Sequence, residues 1–210
     1  MTISSEARKR ARQDSLAELP FSDLVRQVRA CQICREVLPH EPRPVIQLSE
    51  SSKILVVGQA PGRRVHETGL PFNDPSGDRI RQWMGVTRDI FYDEQKLAIL
   101  PMGFCYPGKG KSGDLPPRPE CAPAWREALL ARLEDVELTL VIGQYAHAWH
   151  LDNASKSVTD NVRNWQQYWP RNIVPMPHPS PRNNLWLRRN PWFEQEVVPA
   201  VQARVVDLLG

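Results

Sequence analysis

The sequence predicts an α/β protein, a three-layer α/β/α arrangement around a central, mainly parallel four-stranded sheet. Three observations predict it. Four short apolar runs have the length of buried strands, segments with helically spaced apolar residues lie between them, and Gly- and Pro-rich stretches follow the carboxyl ends of the runs. Strands separated by helices pair in parallel through right-handed crossovers, with both faces of the sheet covered. In such sheets ligands bind outside the carboxyl ends of the strands, so the loops after Val57, Met102 and Met176 should converge on one site.

Taken in order, the stretch to about Leu19 is charged and lacks a sustained apolar face, which reads as a frayed helix or tail. Residues 1–20 are therefore set apart from a single domain over 21–210. Phe21, Leu24, Val25 and Val28 share one helix face, and this helix runs into Cys31 and Cys34. After Pro39, Pro42 and Pro44, the β-branched run Lys53 to Val57 is the first strand and stops at Gly58. Ser76 through Gly85 carries Ile80, Trp83 and Met84 on a helical face, and Leu97 to Met102 is the second strand. A Gly/Pro-rich excursion separates Cys105 from Cys121. Glu120 to Leu133 is a helix by its Trp125, Leu129, Leu130 and Leu133, and Leu138 to Ile142 is the third strand, ending at Gly143. Asn172 to Met176 is the fourth, and Phe193, Val197, Val198, Val201 and Val205 mark a closing helix.

At 210 residues with 41% hydrophobic and 24% charged side chains, the chain suits one domain with a real core. A formal charge of +3 and a pI near 8.8 are compatible with a phosphate-rich partner but far below the charge of histone-like binders. No apolar run approaches a membrane span and the first residues lack a secretory signal, so a cytoplasmic protein without membrane association is expected. In that reducing compartment four cysteines read as metal ligands or buried small hydrophobes, not as disulfides.

Three motifs stand out. The loop GQAPGRRVHETGLPFNDPSG (58–77) has glycines at 58, 62, 69 and 77 and prolines at 61, 71 and 75, so its backbone can approach a ligand closely in a rigid turn. It is neither a dinucleotide-binding fingerprint nor a Walker phosphate loop, and by itself a crossover without ligand explains it as well. In PMPHPSPRNNLWLRRNP, His178 is enclosed by prolines just after a strand, where it has no obvious core role. The spacing Cys31-x2-Cys34 and Cys105-x15-Cys121 supplies four thiolates, which suit a [4Fe-4S] cluster or Zn equally on ligand grounds.

Gly58-Gln59-Ala60-Pro61-Gly62, followed by Gly69-Leu70-Pro71-Phe72, resembles motif 1 of the uracil-DNA glycosylase superfamily, particularly its thermostable iron-sulfur and single-strand-selective monofunctional types. His178-Pro179-Ser180-Pro181-Arg182-Asn183 resembles motif 2 of the same superfamily, closest to the single-strand-selective branch, and the four cysteines resemble the ligand pattern of the iron-sulfur branch. The resemblance implies that Gly58, Ala60, Pro61 and Gly62 contact the base and hold the attacking water together with Gln59. It implies that Phe72 stacks on the base, a contact worth roughly 1–3 kcal/mol, although a core role for this ring is the plain alternative. It further implies that His178 stabilises the departing anionic base, that Ser180, Pro181 and Asn183 meet the duplex gap, and that Arg182, Arg188 and Arg189 contact phosphates. A [4Fe-4S] cluster on Cys31, Cys34, Cys105 and Cys121 would then be structural, with Zn as the alternative.

The chain departs from the family at two points. The side chain that positions water in motif 1 is an Asp, Glu or Asn in relatives, whereas here the matching positions are Gln59 and Ala60. The Asn that reads uracil is absent from Pro101-Met102-Gly103-Phe104, which leaves backbone groups or Asn73 for that task. Glu67, Asp74, Asp78 and His66 are candidate substitutes for the missing group, with Asp74 and His66 first because they flank the predicted base slot. The function expected is monofunctional excision of uracil or another deaminated base from single- or double-stranded DNA by a monomer. The alternative is a catalytically weak or silent nucleic-acid-binding member of the same fold.

Overall fold

The computed structural model describes residues 13–210, so most of the N-terminal tail expected from the sequence lies outside the described residues. Four strands, β1 (Ile54–Val57), β2 (Leu97–Ile99), β3 (Leu138–Ile142) and β4 (Ile173–Met176), form one all-parallel sheet in the order β2-β1-β3-β4. All four runs identified in the sequence are strands, and the expected sheet is fully parallel. The second is shorter than its apolar run. Beyond Ile99 the chain keeps bonding to the first loop through Leu100 N to Val56 O, Met102 N to Gly58 O and Gly103 N to Gln59 O.

Side chains alternate across a strand, so each run divides its residues between two cores. Leu55, Val57, Ala98, Val141 and Ile173 face one core, which α1 (Phe21–Arg29) and α5 (Cys121–Leu130) cover. Ile54, Val56, Leu97, Ile99, Leu140 and Val174 face the other, covered by α3 (Pro75–Met84) and the closing helix α9 (Val198–Leu209). The shorter helices are α2 (Arg63–Thr68), α4 (Arg88–Tyr92), α6 (Gln144–His150), α7 (Val158–Arg163) and α8 (Asn184–Arg189). The closing helix begins with a π turn at Phe193–Val197. Leu16 is buried in the first core, and Arg132 donates to the carbonyls of Ala17 and Leu19, which ties residues 13–19 to the body of the fold.

The edge strand β2 is covered. Gln47 exchanges both backbone hydrogen bonds with Ile99 and sends its side-chain amide to the carbonyls of Phe91 and Leu97. The segment after the Pro-punctuated stretch thus occupies edge groups that would otherwise invite another strand.

A candidate base-binding cleft and a four-cysteine cavity

The sheet order places β2 and β3 on opposite sides of β1, so the topological switch point lies beyond the carboxyl ends of β1 and β3, where ligands bind in open α/β sheets. A cleft of about 480 Å³ opens there. Gly58, Gln59, Ala60, Pro61 and Gly62 line one side, and His178, Ser180 and Asn183 line another. Two loops some 120 positions apart in sequence therefore enclose one cavity, as the chain order of strands and loops predicts. Gly143, at the end of β3, has φ +82°, and a Cβ on it would come within 2.9 Å of Gln59 Nε2. Glycine at this position satisfies both the left-handed backbone and the close approach of that amide.

Phe72 sits at the same site in a costly conformation. Its φ is +51°, a region that bulky residues enter at about 1–3 kcal/mol. Three contacts hold it: the Tyr92 hydroxyl donates to the carbonyls of Pro71 and Phe72, the ring meets Phe91 edge-on at 6.0 Å, and Gly77 leaves room for the Phe72 carbonyl, which would lie 1.7 Å from any Cβ there. The ring lines the cleft and faces Gly58, with Cζ 3.4 Å from the point where a Cβ of that glycine would be. Asp74 follows as the N-cap of α3. Its Oδ1 accepts the Gly77 N–H at 3.0 Å, and the residue also lines the cleft.

His178 has a defined tautomer. Nδ1 lies 3.1 Å from the Ser180 backbone nitrogen, which can only donate, so in the neutral ring the proton resides on Nε2. Burial pushes the imidazole below its ordinary pKa, and the charges of Asp74 and Asp114 oppose that shift. The loop around it is closed by Asn183, whose amide donates to the His178 carbonyl at 2.7 Å, and by Arg79 of α3, which donates to the carbonyls of Pro179 and Ser180 and to Asn184 Oδ1. Arg182 is exposed and reaches across to the Ser112 carbonyl at 3.3 Å.

Several sequence candidates lie elsewhere. His66 does not enter the cleft: the helix turns about 100° per residue, so Val65 faces the cavity while His66 packs at 4.0 Å on the His40 ring and near Tyr106. Glu67 pairs with the exposed Arg63 and the exposed Asp78 with the buried Arg81, and neither carboxylate lines the cleft. Asn73, between Phe72 and the capping Asp74, is not among the residues lining the cleft. Pro181 heads the short turn Pro181–Asn183, and Arg188 and Arg189 are exposed at the end of α8, away from the lining.

Two residues were not picked out from sequence. Arg79 looks like any exposed helix cation until the loop it clamps is known. Asp114 lines the cleft from the excursion between the last two cysteines, where Gly110 N to Gly113 O and Leu115 N to Gly108 O tighten a small hairpin. The one available signal was an acidic residue set in a Gly/Pro-rich turn between the cysteines of a candidate ligand set.

The four cysteines also converge. Cys31, Cys34, Cys105 and Cys121 line a second, small cavity together with Phe104, Arg118 and Trp125. Trp125 Nε1 donates to Cys31 Sγ and the Phe104 N–H to Cys121 Sγ, both at 3.3 Å. Among the described residues no three His, Cys, Asp or Glu side chains are gathered as around a single metal ion; the sulfurs are set around the cavity. Burial pushes Cys105 up to about 11 and Cys121 up to about 12, with the other sulfurs adding to the rise. Four thiolates here therefore require a positive partner. Nearby, the buried Arg126 donates to the carbonyls of Leu100 and Pro101 and to His150 Nε2, while its Nε has no partner among the described residues. Burial lowers this guanidinium to about 9, and negative charge on Cys121 acts to restore it. The donor set thus fits a group that carries net negative charge with its thiolates.

No helix among the described residues is long and apolar enough to cross a membrane. Comparison with protein families matches residues 46–202, well over half of the chain, to the uracil DNA glycosylase superfamily, whose members are in general hydrolytic glycosylases acting on DNA. The match runs from the segment edging β2 through all four strands into the closing helix, taking in both cleft loops and two of the four cysteines. With the parallel sheet, the convergent motif loops and this match together, the chain belongs to the uracil DNA glycosylase superfamily.

Proposed function

We propose that this protein is a monofunctional DNA glycosylase that hydrolyses the N-glycosidic bond of an extruded deaminated base, uracil first among them. The observation that carries the reading is His178, whose Nδ1 is occupied by the Ser180 N–H while the ring lines the same cleft as the Gly58 to Gly62 turn. Breaking the bond leaves an anionic base and an oxocarbenium-like sugar, so a neutral Nε2–H donor acts where negative charge develops. Phe72 stacks on the base, Gln59 and the turn backbone position water, and Asp74 adds a carboxylate at the cavity wall. Ser180, Pro181, Arg182 and Asn183 meet the DNA backbone and gap, with Arg188 and Arg189 farther along the strand. The protein acts as a cytoplasmic monomer on single- or double-stranded DNA.

The four cysteines hold a [4Fe-4S] cluster in this reading. Its contribution is structural, a tether between the segment after α1 and the 105–121 loop. Support comes from the complete all-cysteine set around one cavity and the buried Arg126 beside Cys121. Iron and sulfide analysis with visible absorbance tests it, and zinc in place of iron selects the alternative.

Excision assays on single- and double-stranded oligonucleotides carrying uracil, hypoxanthine or xanthine test the activity, with His178→Ala and Gln59→Ala alongside. Folded wild-type protein that releases none of these bases refutes it. A second reading, a silent nucleic-acid-binding member of the fold, is favoured by the amide at Gln59 where relatives carry a water-positioning group. Tight binding of uracil or abasic DNA without turnover selects that reading.

A further inference from the structure

Hydrolysis at C1′ needs a base for the proton of the attacking water and negative charge facing the sugar as it becomes cationic. Gln59 is neutral and supplies neither. Two carboxylates reach the cleft instead, and they converge beside Gly62. From the point where a Cβ of that glycine would stand, Asp114 Oδ2 is 3.8 Å away and Asp74 Oδ2 is 4.0 Å away.

The two acids are held differently. Asp74 is committed through Oδ1 to the cap of α3. Asp114 receives the Tyr106 hydroxyl on Oδ1 at 3.4 Å, and its backbone bridges Lys109 within the hairpin. Arg182, from the His178 loop, anchors on the Ser112 carbonyl of that hairpin, so the carboxylate is carried to the cleft wall by a braced turn. Both carboxylates act electrostatically on the His178 imidazole. A base and a leaving-group donor thus face one cavity from separate loops.

We propose that Asp114 is a catalytic residue, the carboxylate that receives the water proton and faces the developing charge at C1′, in place of the motif 1 side chain. The assignment rests on the base-excision reading above. The water oxygen bonds to C1′ while one of its protons passes to Asp114 Oδ2. The C1′–N bond breaks, and its electron pair leaves with the base, whose carbonyl oxygen accepts from His178 Nε2–H. Asp114 then yields its proton to the released base or to solvent, leaving free base and an abasic sugar.

The test compares full-length wild type, Asp114→Asn, Asp114→Glu and Asp74→Asn by single-turnover excision across pH, affinity for abasic DNA, and thermal melting. Asp114→Asn should lower the single-turnover rate by about 100-fold or more, flatten the acid limb of the pH profile, leave the melting temperature unchanged, and keep abasic-DNA affinity within about threefold. Asp114→Glu should recover part of the rate, and Asp74→Asn, which preserves the cap, should lose about tenfold or less. A wild-type rate in Asp114→Asn, or a loss confined to DNA affinity, overturns the assignment while the glycosylase reading stands. No excision by folded wild type overturns both.

Discussion

The cleft and the cysteine cavity share the 105–121 segment but are built on opposite physical terms. The cleft is complete as it stands. His178 is neutral with its tautomer held by a backbone donor, Asp74 is capped onto a helix, and Phe72 is strained but braced. In the cysteine cavity burial raises the thiols of Cys105 and Cys121, and the nearby Arg126 has a lowered pKa and, among the described residues, an Nε without a partner. The first site is held by internal hydrogen bonds, whereas the second gathers buried thiols whose charged forms burial disfavours. The 105–121 segment belongs to both: two of its cysteines face one cavity and Asp114 the other.

The largest effect should come from the cysteine cavity. On the cluster reading proposed above, Cys121→Ser should abolish the iron signal and lower the melting temperature by roughly 10 °C or more, with excision lost as the 105–121 hairpin shifts. Metal analysis and calorimetry check this, and unchanged melting would make the two regions independent. Next, His178→Ala should reduce the excision rate about 10² to 10³-fold, about 3–4 kcal/mol, with iron content unchanged in the same metal analysis.

Acid should act on the scaffold beneath both sites. Burial lowers His147 to about 4 and His150 to about 3 in the folded chain, against about 6.5 unfolded. The unfolded state therefore binds more protons between these values, and stability should be full above pH 7 and fall as pH drops through 6.5. His147 alone should contribute about 3 kcal/mol of that loss by pH 4. Denaturant titrations at pH 7.5, 5.5 and 4.5 measure it, and a flat profile would contradict the neutral buried assignment. Phe72→Ala should weaken binding of extruded-base DNA by about 1–3 kcal/mol; alanine keeps the strained backbone at φ +51° and loses the ring's edge-on contact with Phe91, so melting should fall as well. The smallest effect belongs to Arg79→Ala. It should loosen the His178 loop, costing about 1 kcal/mol, seen as a modest drop in rate at full iron occupancy.

The strands were legible because each is a compact apolar run, and even the division into two cores follows from alternation within ILVV and LTLVI. Among the described residues the short helices were not. RRVHET buries only Val65, and a helix of one or two turns offers too few apolar positions for a period to show. The same shortness misplaced His66, which appeared to flank the base slot in a loop but is rotated onto His40 by the helix that forms there. Arg79 and Asp114 escaped notice because their importance comes from partners about 100 and 60 positions away.

Local pattern alone determined the strand set, the parallel layering and the two loops that bear His178 and Gln59, because strand burial, glycine turns and proline constraints act over a few residues. Which side chains face the cavity depended on helix phase and on loop-to-loop bracing. Those are fixed only when distant segments pack, since a rotation of about 100° per helical residue decides between Val65 and His66, and no short window of sequence contains that choice.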